Sequence, residues 1–148
     1  MDPKTYYITA SADIIKKRAK FLEEKGFEFY SEDEHSIVYR NFEKNIQISV
    51  FFERYSDMGI ISISFGFPPG RRKYFFVWVL DVVNRYHNND FFDYRKILKT
   101  KLDHVMRDFD FLENHFEKCM NLSYCEKMDK EYNFEGIAAK YRSKLGYE

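Results

Sequence analysis

The spacing of apolar residues changes partway along this chain, and the change limits the possible folds more than any other feature. Apolar and polar residues alternate at residues 46–53 and again at 61–67, as they do in strands with one buried face. At residues 98–119, apolar residues instead recur at steps of three or four, which is typical of a helix with one packed face. Strands followed by helices predict an α+β fold.

Four strands are predicted in the first half of the chain. Alternation is also present at residues 27–30 and 37–40, before the two longer stretches. Polar turns at residues 31–35, 41–45 and 55–59 separate the four stretches. Because turns this short join neighbouring antiparallel strands, we predict a four-stranded antiparallel β-meander.

One face of this meander is a candidate contact surface. Ser49, Ser62 and Ser64 are small and polar, and the prediction places them beside Tyr39 and Phe51. Serine hydroxyls next to aromatic rings make adaptable contacts with a partner. A helix from the C-terminal half would cover the same face, so both interpretations stay open.

A helix is predicted before the strands. Ser11 is a candidate N-terminal cap, and Ile15, Ala19 and Leu22 then fall on one face. Gly26 is placed to end this helix. The N-terminal helix therefore has one face available for packing against the sheet.

The C-terminal half is predicted to be helical and to pack on one sheet face. Residues 74–86 have strand propensity, but their spacing favours a mostly buried helix. The apolar stripe at residues 98–119 predicts one long helix. Ser123 with Glu126 forms a candidate capping box, and Asn133 is a candidate cap for a last helix. We expect all 148 residues to form a single domain.

Charge and composition limit the kinds of partner that the chain as a whole would attract. The chain has 24 Lys plus Arg and 24 Asp plus Glu, so no overall field draws it to nucleic acid or to an acidic membrane. Residues 1–10 lack the pattern of a signal or transit peptide, and the longest nearly apolar run, residues 74–83, is too short to span a bilayer. Two cysteines are too few for a disulfide framework. We therefore expect a soluble cytoplasmic protein without membrane contact.

Familiar motifs for catalysis or metal binding are missing from the sequence. His104 with Asp108 and His115 with Cys119 could each share an ion across one helical turn, but the two pairs are about 16 Å apart along a helix and cannot serve one ion together. The chain also lacks a Gly-x-Ser-x-Gly elbow and a phosphate-binding glycine loop. The sequence assigns no catalytic residue, metal or cofactor. It favours a binding protein, while an enzyme with an unfamiliar site stays an alternative.

Four acidic residues on the predicted long helix form the leading candidate for a binding surface. Asp103, Asp110, Glu113 and Glu117, here called the acidic strip, lie within about 80° of one another around the helix axis. Their charges repel one another, and a basic partner would relieve the repulsion. The leading hypothesis is a small protein-binding module that occupies a basic partner, such as a bacterial immunity protein that inhibits a toxin. A helix face that only contacts water is the alternative.

A basic triplet offers a second hypothesis. Arg71, Arg72 and Lys73 follow a Pro-Pro-Gly sequence and precede Tyr74, whose ring could stack on a base while the cations hold phosphates. The protein would then be associated with nucleic acid. Because the long apolar stripe could also serve as a dimer seam, both a monomer and a homodimer stay open.

Overall fold

A computed structural model describes residues 3–51, 60–67, 73–85 and 101–145 of the chain. These residues form α1 (Pro3–Arg18), α2 (Phe21–Glu24), β1 (Glu28–Glu32), β2 (Ser36–Asn41), β3 (Ile46–Phe51), β4 (Ile60–Phe65), β5 (Lys73–Phe76), α3 (Val77–Arg85), α4 (Lys101–Asn114), α5 (Phe116–Cys119), α6 (Leu122–Tyr132) and α7 (Phe134–Leu145). The strands form one antiparallel sheet in the order β1-β2-β3-β4-β5. The predicted α+β fold, with a meander between an N-terminal helix and a helical C-terminal half, is confirmed.

Strand register sorts the side chains of the sheet into two faces. Val50 on β3 pairs with Ile37 on β2 and with Ile61 on β4, while Ile48 pairs with Ile63. These five side chains are fully buried in the hydrophobic core. Residues that alternate with them point to the opposite face. The opposite face of β2, β3 and β4 includes Arg40, Gln47, Ser49, Ser62 and Ser64.

The N-terminal helix starts before the predicted cap. α1 begins at Pro3, and Ser11 is a buried residue within it, so the prediction of a cap at Ser11 was wrong. Proline suits the first helical position because its ring presets φ and its missing N–H would have no helical partner there. Ile15 and Leu22 are buried as predicted, and Gly26 follows α2 with a φ of +91°. This left-handed conformation ends the helical segment, as predicted.

The stretch predicted as one helix at residues 74–86 contains a strand and then a helix. Phe75 in β5 pairs with Ile63 in β4, and helical backbone begins at Val77. The sheet therefore has five strands where four were predicted. The edge of β4 supplies backbone hydrogen-bond partners to aromatic residues with high strand propensity, and this contact outweighs their helical spacing. α3 is buried on all sides at residues 77–83, in contact with the sheet and with α4, α6 and α7.

The predicted long helix is broken near its end. α4 stops at Asn114 and α5 begins at Phe116, so the prediction of one continuous helix was wrong at the intervening turn. After the break, the Phe116 ring packs edge-to-face on Phe21 and Phe27, with centroids 6.3 and 6.1 Å apart. These aromatic contacts stabilise the change in direction of the chain at the break. Helical periodicity alone does not show such a change. The first residue of the stripe, Leu98, lies outside the described residues.

The caps of the last two helices are asparagines. Asn121 precedes α6, and its side chain accepts a hydrogen bond from the Tyr124 backbone N–H at 3.0 Å, so the predicted capping box at Ser123 was wrong. Asn133 separates α6 from α7 with a φ of +56°. Its Oδ1 accepts from the Gly136 N–H at 3.2 Å, which confirms the predicted cap.

Candidate binding surface

A bulge in the edge strand β1 presents an aromatic ring beside an arginine. Phe29 pairs with Tyr39 and Ser31 with Val38, so Tyr30 has no partner across the strand pair. Every residue of β1 is exposed. The extra residue breaks the strict alternation of side chains, and the Tyr30 ring lies over Arg40 of the neighbouring strand.

Arg40 is held between two aromatic rings. Its guanidinium carbon lies 3.7 Å from the centre of the Tyr30 ring and 4.3 Å from that of Phe67. A third ring, Phe42, contacts both of them, with centroid distances of 6.3 Å to Tyr30 and 5.6 Å to Phe67. We call these four residues the Arg40 cluster. Cation–π attraction across such short distances holds the guanidinium beside the two rings.

A chain of hydrogen bonds fixes the guanidinium from the sheet side. Arg40 Nε donates to Gln47 Oε1 at 2.8 Å, and Gln47 Nε2 donates to Ser49 Oγ at 3.0 Å. Gln47 and Ser49 are buried. Strand register places Glu28 opposite Arg40, yet among the described residues no carboxylate lies within 4.0 Å of the guanidinium. The cluster therefore carries a rigid positive charge without an ion-pair partner in the described part of the chain.

The aromatic members of the cluster keep much of their surface in contact with solvent. Tyr30 is 50% exposed and Phe42 is 52% exposed. Further exposed aromatic residues on the sheet are Phe29, Phe51 and Tyr74. Adjacent exposed rings around an arginine have the composition of a protein-binding surface, because Tyr, Phe and Arg are enriched where proteins bind one another.

The predicted acidic strip is on the surface, but part of it has an internal partner. Asp103, Asp110, Glu113 and Glu117 are all exposed. Arg18 Nη2 in α1 lies 3.0 Å from Asp110 Oδ1 and 2.8 Å from Glu113 Oε1. Glu117 belongs to α5, beyond the turn that ends α4. One arginine thus neutralises part of the charge that suggested a basic partner.

The basic triplet is described only at its last residue. Arg71 and Arg72 lie outside the described residues. Lys73 begins β5 and forms an ion pair with Glu126 of α6, with an N–O distance of 3.1 Å. Tyr74 is 59% exposed at this edge strand. Nucleic-acid binding through these residues stays a prediction.

The serine face of the sheet differs from its prediction in two ways. Ser49, Ser62 and Ser64 share a face, but each is buried. Tyr39, predicted beside them, lies on the core face, opposite Ile48. Burial raises the pKa of the Tyr39 hydroxyl to about 12, and the acidic residues Glu23 and Glu32 add to the effect.

A groove beside β5 is one candidate for an enzyme pocket among the described residues. It has a volume of about 530 Å³ and is lined by residues that include Phe75, Val79 and Phe134. Asp129 is also in its wall, but Asp129 Oδ1 already accepts the Phe134 N–H at 3.0 Å. This carboxylate helps to begin α7 and stays hydrogen-bonded to the backbone. Of the groups that line the groove, Asp129 therefore has a structural role.

The thiols and histidines do not form a metal site in the described part of the chain. Cys119 and Cys125 are free and buried, and burial raises the pKa of both thiols, that of Cys125 to about 12. A raised thiol pKa suppresses the reactive thiolate. Within residues 3–51, 60–67, 73–85 and 101–145, no group of three His, Cys, Asp or Glu side chains could hold a metal ion. The helices among these residues are also too short or too polar to cross a membrane.

No protein-family model, curated protein or solved structure matches the chain. The Arg40 cluster was missed in the sequence because Tyr30, Arg40, Phe42 and Phe67 come from three separate stretches. The high aromatic content, 20% of the chain, was the one available signal that rings would remain at the surface.

Proposed function

We propose that this protein is a small protein-binding module and that it binds its partner through the Arg40 cluster. The observation that supports the proposal is the rigid guanidinium between Tyr30 and Phe67, with Phe42 half exposed beside them. Residues whose side chains are already ordered lose little conformational entropy on binding. This arrangement favours a binding protein over an enzyme.

The size of the exposed rings sets the expected contribution to binding. Full burial of a Phe side chain contributes about 1.5–3 kcal/mol, and Phe42 and Tyr30 each have about half of their surface left to bury. Together the two rings can contribute about 2 kcal/mol, with more from edge-to-face contacts. A central aromatic pair beside an arginine is the usual composition of an interface hot spot.

A second form of the proposal uses the acidic strip and a basic partner, as an immunity protein would when it inhibits a toxin. The exposure of all four acidic residues supports it. The ion pairs from Arg18 to Asp110 and Glu113 count against it, because a basic partner would have to compete with a charge that is already in place.

The test compares two exposed aromatic residues on the same sheet. Tagged protein with Phe42→Ala is used to capture partners from the native cells, and Tyr74→Ala serves as the matched control because Tyr74 is exposed on β5 at the other end of the strand order. We expect one stoichiometric partner to be lost with Phe42→Ala and retained with Tyr74→Ala. With the purified partner, Phe42→Ala should weaken the Kd about tenfold or more.

The opposite pattern would contradict the proposal. If Phe42→Ala binds every captured protein as well as the unchanged protein, the Arg40 cluster is not the interface. Reversal of the charges of Asp103, Asp110, Glu113 and Glu117 in the same experiment tests the second form. Loss of the partner only in that variant would place the interface on the acidic strip.

A further inference from the structure

We propose that Arg40 binds a carboxylate of the partner, from an Asp or Glu side chain that stands next to an apolar residue packed on Phe42. This inference rests on the proposed function and specifies the chemistry of the partner. It gives the partner's contact point a negative charge, the reverse of what the acidic strip predicted.

The unused hydrogen-bond donors of Arg40 define the direction from which the ligand approaches. A guanidinium has five N–H donors, and here the one on Nε is used by Gln47. Two aromatic rings, those of Tyr30 and Phe67, have their centres 3.7 and 4.3 Å from the guanidinium carbon. Because all N–H bonds of a guanidinium lie in its plane, the donors on Nη1 and Nη2 are left for an acceptor that approaches in that plane. Two parallel N–H donors on these nitrogens match the two oxygens of one carboxylate.

The lack of a carboxylate near Arg40 among the described residues favours an anionic ligand. Arg40 is partly buried, and in the described part of the chain no Asp or Glu oxygen lies within 4.0 Å of it. A charge that is partly removed from water and has no ion-pair partner is unfavourable. A bound carboxylate would offset this cost. The loss of conformational entropy would be small, because the guanidinium is already fixed.

A carboxylate suits this site better than a phosphate does. Glu28 stands opposite Arg40 in the strand register and would repel a doubly charged phosphate more strongly than a singly charged carboxylate. Nucleic acid also requires several cations along its backbone, whereas this cluster supplies one. The exposed Phe42 ring beside the guanidinium then favours a peptide in which an apolar side chain neighbours the acid.

The direct test is an NMR titration of the full chain with two dipeptides, N-acetyl-Asp-Phe-amide and N-acetyl-Asn-Phe-amide, and with inorganic phosphate. The Arg40 Nε–H signal and the ring signals of Tyr30 and Phe42 report on the cluster. We expect the Asp peptide to shift these signals at millimolar concentration and to bind about fivefold to tenfold more tightly than its Asn counterpart, because a charge-assisted pair replaces a neutral one.

A substitution inside the cluster provides the second test. Gln47→Glu places a carboxylate within reach of Arg40 Nε and supplies an internal ion-pair partner, while Ser49 can donate its hydroxyl hydrogen to the new oxygen. We expect this variant to fold and to lose the preference for the Asp peptide. Asn45→Asp is the control, since it adds the same charge in the exposed β2–β3 turn and should keep the preference.

The outcomes separate this inference from the proposed function. If both dipeptides bind equally, or if phosphate binds more tightly than the Asp peptide, the carboxylate inference is overturned, while loss of the partner in Phe42→Ala would still support a protein interface. If neither dipeptide shifts the cluster signals, the carboxylate inference is also overturned. If the Asp preference is seen but Gln47→Glu retains it, Arg40 is not its source and the inference fails.

Discussion

Replacement of Arg18 by Met should destabilise the protein measurably, although Arg18 lies at the surface. The Arg18 side chain is 25% exposed, and its guanidinium contacts Asp110 and Glu113. Its guanidinium carbon also lies 5.4 Å from the Phe21 ring centre and 5.7 Å from that of Phe109. Methionine keeps most of the aliphatic packing, so Arg18→Met removes mainly the charge.

The expected loss follows from these contacts. Each exposed ion pair contributes about 0.2–1 kcal/mol, and the lower half of that range applies because Asp110 is 68% exposed and Glu113 is 47% exposed. The cation–π contacts add about 0.5 kcal/mol. Without Arg18, Asp110 and Glu113 repel each other. This repulsion costs a few tenths of a kcal/mol, which is about the cost of two like charges one turn apart on a helix. The sum is about 1–2 kcal/mol, or a fall in Tm of about 2–8 °C.

The assay is urea unfolding followed by the fluorescence of Trp78, the single tryptophan, which is buried. A double-mutant cycle between Arg18→Met and the pair Asp110→Asn with Glu113→Gln isolates the electrostatic part. We expect a coupling energy of about 0.5–1 kcal/mol that shrinks in 1 M salt. A coupling near zero, or one unchanged by salt, would refute the assignment of Arg18 as the partner of the acidic strip.

Two further properties can be predicted from the described residues. Burial raises the pKa of Tyr39 and of Cys125 to about 12 each, so the folded state favours the protonated form of both groups. The two groups should therefore leave the free energy of unfolding unchanged below about pH 9. They should lower it as the pH rises toward 12. Unfolding at several pH values checks this, and Tyr39→Phe should weaken the dependence; a flat profile would contradict it. Asn133→Ala should cost about 1–2 kcal/mol, since it loses the cap on Gly136 and places an ordinary side chain at a positive φ. Asn133→Gly removes the strain and should cost less, so equal losses in thermal unfolding would refute the role of the backbone conformation.

The order and type of most secondary-structure elements could be read from local patterns. In their described parts, the alternation at residues 46–53 and the apolar stripe at 98–119 both gave elements of the predicted type. Each pattern depends only on which face of a single element is buried. Errors arose where contacts between elements decide the conformation. β5 forms because β4 has an edge to pair with, and the turn at His115 is followed by Phe116, whose ring meets Phe21 and Phe27.

The candidate site was less predictable than the fold. The acidic strip could be proposed because its four residues lie within one helical pattern, but its pairing with Arg18 joins residues 92 positions apart in the case of Asp110. The Arg40 cluster is likewise assembled from separate strands and from Phe67 beyond β4. No spacing rule links such residues, because their distance depends on strand register and on the bulge at Tyr30.

What the sequence determined by itself is the α+β class, the meander, the buried faces of its helices and the cap at Asn133, since hydrophobic periodicity and backbone preference act over a few residues. Only the tertiary structure decided which charges have partners. It places Arg18 against two acids of the strip and leaves Arg40 between aromatic rings without a carboxylate among the described residues. The physical reason is that electrostatic and aromatic contacts act through space, so residues far apart in the chain set the charge that each surface presents to a partner.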